Sequence, residues 1–319
     1  MSTKPAHLST DPLWPRAGGW PSPAELPAGT RIDVSLVGVP ASQTSLSATH
    51  AHETPDAIRS ALYRYSPALM QDRRLPDKGI RTNPDVVDLD GLTLADFGNV
   101  VQPDSPAGEA RTIALMADAA KASQLVVALG GDNSVTVAAA LGAWGSDLST
   151  AGLITLDAHY DLRDGVSNGS PVRRLVEAGL NPERIVQIGI QDFANSVAYA
   201  RRAQELGITV IHRDELARRP ISDIMTEALA IAGAAGGPIH VDLDVDVCDR
   251  AVAPACPASV PGGISAYELR QVARIAAADP HVRSLDLTEI DATMDSADGR
   301  TVRLAALCVL EAIAGVSQR

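Results

Sequence analysis

Short apolar runs recur along this chain, each closing on a polar corner and each followed by a stretch with apolar residues at helical spacing. Leu125-Val126-Val127-Ala128-Leu129, Gly152-Leu153-Ile154-Thr155, Arg184 to Ile190 and Val282 to Leu287 are such runs. A strand that is apolar nearly throughout has to be covered on both faces, which is the condition of a parallel sheet. Repetition of strand, polar corner and helix therefore predicts an α/β fold. A mostly parallel central sheet lies between helices, with the functional groups at the strands' carboxyl edge.

The expected order begins with an extended lead-in over residues 1–30, where six prolines break any regular element and Trp14 and Trp20 dock on the surface. A single domain over residues 31–319 follows, normal in length for one large α/β unit. Asp33 to Val39 is the first strand. Thr54-Pro55-Asp56 opens a helix that buries Ile58, Ala61, Leu62 and Tyr65 and leaves Arg59 and Arg64 at its margins. Gln71 to Pro84 reads as a loop, Val86 to Leu89 as a short strand and Ala107 to Ala122 as a helix. Gly130-Gly131-Asp132-Asn133-Ser134 makes a tight strand-to-helix turn with Ser134 as N-cap. Later come a helix over Ser196 to Leu206, a strand over Thr209 to His212 and a helix over Ile221 to Ala235. An acidic strand over residues 239–247 precedes the Ser265/Glu268 capping box and the closing helix Val302 to Ala314.

Two strand ends carry the chemistry. After the apolar run at 152–155 comes Asp157-Ala158-His159-Tyr160-Asp161, whose alternate side chains converge if the chain stays extended. Some eighty residues on, Asp242-Leu243-Asp244-Val245-Asp246 alternates acid with apolar residue and presents Asp242 and Asp244 on one side. Carboxylates and an imidazole gathered from two strand ends repel one another unless a cation compensates. Carboxylate oxygens with one imidazole suit Mn or Mg. A formal charge of -12 argues against nucleic acid or an anionic membrane as the partner. Three cysteines without paired spacing argue against a disulfide framework, and no run reaches the roughly 18 apolar residues of a membrane helix. A cytoplasmic protein is expected.

With these motifs in place, the chain resembles the ureohydrolases, the family of arginase, agmatinase and formimidoylglutamase, from about Val37 to the C-terminus. The resemblance implies a three-layer αβα sandwich and a binuclear manganese centre. It places Asp157 and Asp242 at the positions bridging both ions, His159 and Asp244 at those of one ion, and Asp161 with Asn133 at those of the other. A hydroxide held between the ions attacks an amidine-type carbon. Glu289 matches the carboxylate that binds the substrate nitrogen, and Asp161 is the candidate to pass a proton to the leaving amine. Most of the family has histidine where this chain has Asn133, which implies one weakly held Mn2+.

The departures select within the family. The acid that reads the α-amino group of arginine falls at Ala194. Asn168, Ser170 and Arg173, with Gln191 and Asn195, resemble the substrate site of formimidoylglutamase. N-formimidoyl-L-glutamate has two carboxylates and no free amine, so its site calls for cations, with Arg173 as one clamp and Arg174, Arg163, Arg59 or Arg64 as the second. The expectation is Mn-dependent hydrolysis of this small molecule to L-glutamate and formamide, in histidine breakdown. An agmatinase or guanidino-acid hydrolase releasing urea stands as the alternative, and Asn133 keeps open a metal-poor relative without catalysis. The resemblance also implies a homo-oligomer, a trimer or hexamer.

Overall fold

The computed structural model describes residues 5, 8–70 and 86–319; the expected loop over 71–84 lies outside the described residues. In chain order the elements are β1 (Ile32–Val39), α1 (Thr54–Leu62), β2 (Ala68–Met70), β3 (Val86–Asp88), β4 (Leu94–Asn99), α2 (Pro106–Ala122) and β5 (Ser123–Gly130). The middle of the chain supplies α3 (Val135–Trp144), β6 (Gly152–Leu156), α4 (Pro171–Ala178), β7 (Ile185–Ile190), α5 (Val197–Leu206) and β8 (Thr209–His212). Then follow α6 (Arg213–Leu216), α7 (Ile221–Ala232), β9 (Ile239–Asp244), α8 (Ala266–Ala278), β10 (Val282–Thr288) and α9 (Arg300–Val316).

Eight strands form one sheet in the order β4-β1-β5-β10-β9-β6-β7-β8, with every pairing parallel. On one face α1, α9, α8 and α7 pack in a row, and on the other lie α2, α3, α4 and α5. This is the expected three-layer αβα sandwich. The five central strands are buried almost without interruption because helices cover both of their faces. Among the described residues no helix is long and apolar enough to cross a membrane.

Departures from the expected elements have local causes. Strand β4 escapes a pattern search because its sequence LADFGN has no apolar run, as suits a half-exposed edge. Helix α4 escapes it because it is short and its buried apolar residues are few, Val172 and Leu175 beside the N-terminal Pro171. Ser134 takes the N-cap position of α3 as expected, but its side chain makes no capping bond: the hydroxyl donates to the buried Asp132 carboxylate at 2.5 Å instead. The capping box of Ser265 and Glu268 forms as expected.

Arg59 is the largest correction outside the site. It is buried, and its guanidinium grips both oxygens of Asp96 at 2.7 and 2.8 Å, the Gly98 carbonyl at 3.2 Å, Asp56 at 3.2 Å and Asn99. It ties α1 to the edge strand β4 and has no part in reading a substrate. Breaking such a pair leaves a partly buried carboxylate without its cation, so Arg59→Ala should lower unfolding free energy by about 2 to 4 kcal/mol. Denaturant unfolding tests this; an unchanged midpoint together with a raised KM would return Arg59 to the active site.

Candidate metal centre and active site

Four neighbouring strands, β5, β10, β9 and β6, deliver the candidate residues at their carboxyl ends. After β5 the chain turns at Gly131, where a Cβ would lie 1.9 Å from the Ala41 carbonyl oxygen; only glycine lets the backbone pass. Asn133 follows. After β10 comes Glu289, whose amide donates to the Gly131 carbonyl at 2.9 Å.

The segment 157–161 is not a continuation of the strand. β6 ends at Leu156, and Asp161 has φ 53°, in the left-handed region. Convergence of Asp157, His159 and Asp161 is therefore made by a tight irregular turn, held by the His159 amide donating to Asp157 Oδ1 at 2.6 Å. Glu289 is likewise left-handed at φ 62°. Non-glycine residues cost about 1 to 3 kcal/mol in such conformations and persist where surrounding bonds over-determine them.

The acidic strand also ends earlier than expected. β9 stops at Asp244, and a 3-10 turn over Val245–Val247 swings Asp246 into the cluster. Asp246 accepts the Ala158 amide at 2.9 Å through Oδ1, and its Oδ2 meets His159 Nδ1 at 2.7 Å. Two overlapping sets of ligand atoms result, each lying within 4.8 Å of one another: Asp157, His159 and Asp246, and Asp244, Asp246 and Cys256. Asp246 is thus a member that reading Asp242 and Asp244 as the facing pair left out, although the same acid-apolar alternation contains it.

Asp242 is correspondingly displaced. It sits one step deeper in β9, opposite Asp286 of β10 in register, with the Thr288 hydroxyl 3.4 Å from its Oδ1, and it does not line the cavity. Asn133 lies in the site but turns its nitrogen inward: Nδ2 donates to Asp161 Oδ2 at 2.7 Å, while Oδ1 accepts the hydroxyls of Thr136 at 2.8 Å and Thr288 at 2.9 Å. Its amide oxygen is occupied in this arrangement, so the contact it makes in the centre is as a donor to Asp161.

Electrostatics show what the cluster lacks. Burial, then the neighbouring carboxylates, pushes Asp157 and Asp244 well above the usual carboxylate range, and burial together with Asp286 does the same to Asp242. Asp161 is lifted to about 7 and Glu289 to about 8, in both cases chiefly by burial. Burial pulls His159 down, but the Asp246 carboxylate outweighs it and holds the imidazole up at about 10. Burial opposes ionisation of Asp246 too, yet His159 and the Ala158 amide keep it below its ordinary value. Asp157 Oδ2 is buried without any hydrogen-bond partner. A buried carboxylate oxygen with no donor, beside other carboxylates and an imidazole, is the donor set of a hard divalent cation.

Above the cluster opens a cavity of about 390 Å³, with Asp161, Asp244, Asp246, His159 and Glu289 at its base. Of the expected substrate residues, Asn168 and Asn195 line it; Ser170, Arg173 and Gln191 do not. Ser170 is fully buried and hydrogen-bonds Ser167, shaping the loop before α4. Arg173 donates to the Arg163 carbonyl at 2.6 Å and to the Gly165 carbonyl and pairs with Glu177, so it braces the loop from outside. Gln191 donates its backbone amide to Ala158. Arg174 is spent on Glu109. Among the described residues the arginine on the cavity wall is Arg163, which passes over Gly169 where a Cβ would meet its Cδ at 2.7 Å. Asn168 bridges the walls: its Nδ2 donates to Glu289 Oε1 at 2.8 Å and its Oδ1 accepts the Leu46 amide at 3.0 Å.

Comparison with known proteins agrees with this architecture. A sequence model described as the arginase family matches residues 32–315. A formimidoylglutamase of Halalkalibacterium halodurans is 34% identical over 297 residues, covering 90% of this chain and 88% of its own. The crystal structure of formimidoylglutamase from Bacillus subtilis superposes with TM-score 0.82 at 27% identity, over 98% of this chain and 95% of its own. A Trypanosoma cruzi formiminoglutamase solved with Mn2+ has TM-score 0.75 at 22% identity, over 90% of this chain and 94% of its own.

Groups whose pKa is raised hold protons near neutrality that a cation must displace. Mn2+ affinity of the chelated protein should therefore rise from pH 6 to pH 8, across the value of about 7 for Asp161. Calorimetry in two buffers of different ionisation enthalpy should register proton release at each pH. A flat affinity without proton release would mean that the cation binds elsewhere.

Proposed function

The chain belongs to the arginase family, and from that premise we propose that this hydrolase cleaves N-formimidoyl-L-glutamate to L-glutamate and formamide with two Mn2+ ions. The observation that carries the choice of substrate is the composition of the cavity wall. Arg163 lines the cavity together with Asp161, Asp244, Asp246 and Glu289, and Ala194, in the same lining, offers no carboxylate to an amine. Such a cavity takes a ligand that is amidine-like at one end and anionic at the other.

Asp157, His159 and Asp246 would hold one ion, and Asp244 and Asp246 with the adjacent Asp161 the other; Asp242 supports them from beneath. When bound, the ions supply Lewis acidity and lower the pKa of water from 15.7 toward about 7. Glu289 has Oε1 fixed by the Asn133 amide at 2.7 Å and by Asn168 at 2.8 Å, which leaves Oε2 to bind the formimidoyl nitrogen. Water adds to the formimidoyl carbon, and the bond from that carbon to the glutamate nitrogen breaks. The nitrogen leaves as an amine and needs a proton. Asp161, whose Oδ2 accepts Asn133 Nδ2, would pass that proton to the leaving nitrogen. Arg163 takes one substrate carboxylate, and the N-terminus of α5 at Ser196, also on the cavity wall, takes the other.

The test is release of formamide and glutamate from N-formimidoyl-L-glutamate. Activity should vanish on chelation and return with Mn2+. Arg163→Ala should raise KM about 10- to 100-fold with kcat little changed, the loss of a charged hydrogen bond. Glu289→Gln should lower kcat about 100-fold or more. Urea release from guanidino acids in place of formamide release would transfer the assignment to a guanidino-acid hydrolase. A folded, Mn-replete protein without turnover on either substrate class would remove the catalytic reading.

A further inference from the structure

Phe193 sits on the cavity wall with two features that nothing in the unliganded fold offsets. Its side chain is fully exposed, at 105% of its reference area, and its backbone has φ 64°, a region that favours glycine. Two of the other left-handed non-glycine residues among those described are Asp161 and Glu289, both in the centre itself. Fixed posts on either side force this conformation. The Gln191 amide donates to the Ala158 carbonyl at 3.1 Å, and Asn195 accepts the Tyr160 amide at 3.1 Å while donating to Ala158 at 2.8 Å and to Gln191 at 3.2 Å. Both posts are anchored on the turn that carries His159. Residues 192–194 therefore arch outward from the metal side of the cavity, and the phenyl ring stands at the mouth.

The same cavity is lined by a second exposed apolar side chain, Leu46, at 58%. Its amide is held by Asn168, which also holds Glu289, so this part of the lining too is tied to the centre. Phe193 and Leu46 thus add exposed apolar surface to a lining whose acids are Asp161, Asp244, Asp246 and Glu289 and whose cation is Arg163. Polar ends and an apolar middle are the complement of a short aliphatic chain carrying an amidine at one end and a carboxylate at the other.

We propose that Phe193 closes against Leu46 over the methylene segment of the bound substrate, so that the ring positions the chain and shuts bulk solvent out of the cavity mouth while the reacting water stays within. The proposal rests on the cavity being the substrate site. Its test is separable from the choice of substrate, because closure is read by binding and the choice of substrate by turnover of the wild-type protein. Phe193→Ala should raise KM about tenfold with kcat nearly unchanged, the signature of a lost apolar contact. Phe193→Leu should recover KM to within about threefold of wild type, and Phe193→Ser should not. In the Mn-replete Phe193→Trp protein, saturating L-glutamate or 4-guanidinobutyrate should shift emission to the blue, measured as a difference from the wild-type protein with the same ligand.

No emission shift with either ligand would overturn closure whatever the wild type hydrolyses. Equal KM values for the Phe193→Ala, Phe193→Leu and wild-type proteins would overturn it as well. So would a change of oligomeric state in Phe193→Ala without a change of KM, since the ring would then belong to a subunit contact.

Discussion

Burial of like charges at the carboxyl edge of the sheet is the interaction on which the rest of the site depends. Asp157, Asp244 and Asp246 are each at most 2% exposed and lie among one another with one imidazole as protein counter-charge. At effective dielectric values appropriate to protein, a pair of unit charges 4 Å apart still repels by about 4 kcal/mol. Several such pairs compete with the whole folding free energy of a domain, about 5 to 15 kcal/mol. The protein can hold protons on these groups or hold cations among them. The raised pKa values describe the first state and the unpartnered Asp157 Oδ2 marks where the second takes hold. Binding a cation there is coupled to folding of the strand ends as much as to chemistry.

The parallel sheet makes that concentration of acid possible. Strands β5, β10, β9 and β6 are adjacent and all point the same way, so four carboxyl ends open on one spot while helices on both faces keep it dry. Beneath the rim a further polar layer continues inward. Asp242 lies opposite Asp286, Asp286 meets His240 at 3.1 Å, and His240 meets Ser284 at 2.7 Å, all fully buried or nearly so. His240 pairs with Ser284 and with Asp286 Oδ2, while Asp286 Oδ1 is buried without a partner. This column lies between β9 and β10, beneath the clustered acids of the rim.

Much of this was legible in the sequence because periodicity reports burial. The central strands and the flanking helices α2, α8 and α9 appear within a few residues of where their apolar spacing puts them. Asp157, His159, Asp161, Asp244 and Glu289 come together as expected. What the pattern did not carry is where a strand stops. An alternating acid-apolar run reads as strand through residue 247, but the 3-10 turn after Asp244 replaces Asp242 with Asp246 at the rim. Arg173 lies off the cavity lining, where Arg163 stands, for a related reason. Arg173 and Arg163 are equally polar in sequence, and only the loop's fold shows that the first spends its donors on the carbonyls of residues 163 and 165. Left-handed φ at Asp161, Phe193 and Glu289 has no sequence signal, since none of the three is glycine.

Asparagine ties these parts into one device. Asn133 holds Asp161 by its side chain and Glu289 by its backbone; Asn168 holds Glu289 and the Leu46 wall; Asn195 holds the turn bearing His159 and the arch bearing Phe193. A neutral amide can donate and accept at once, so each bridges two elements without adding charge to a site already overloaded with it. Carboxylates in the same places would deepen the repulsion, and lysine or arginine would compete with the cations for the acids. The site is therefore built as two populations: charged groups that converge on one spot, and uncharged amides that fix their positions and join them to the cavity walls.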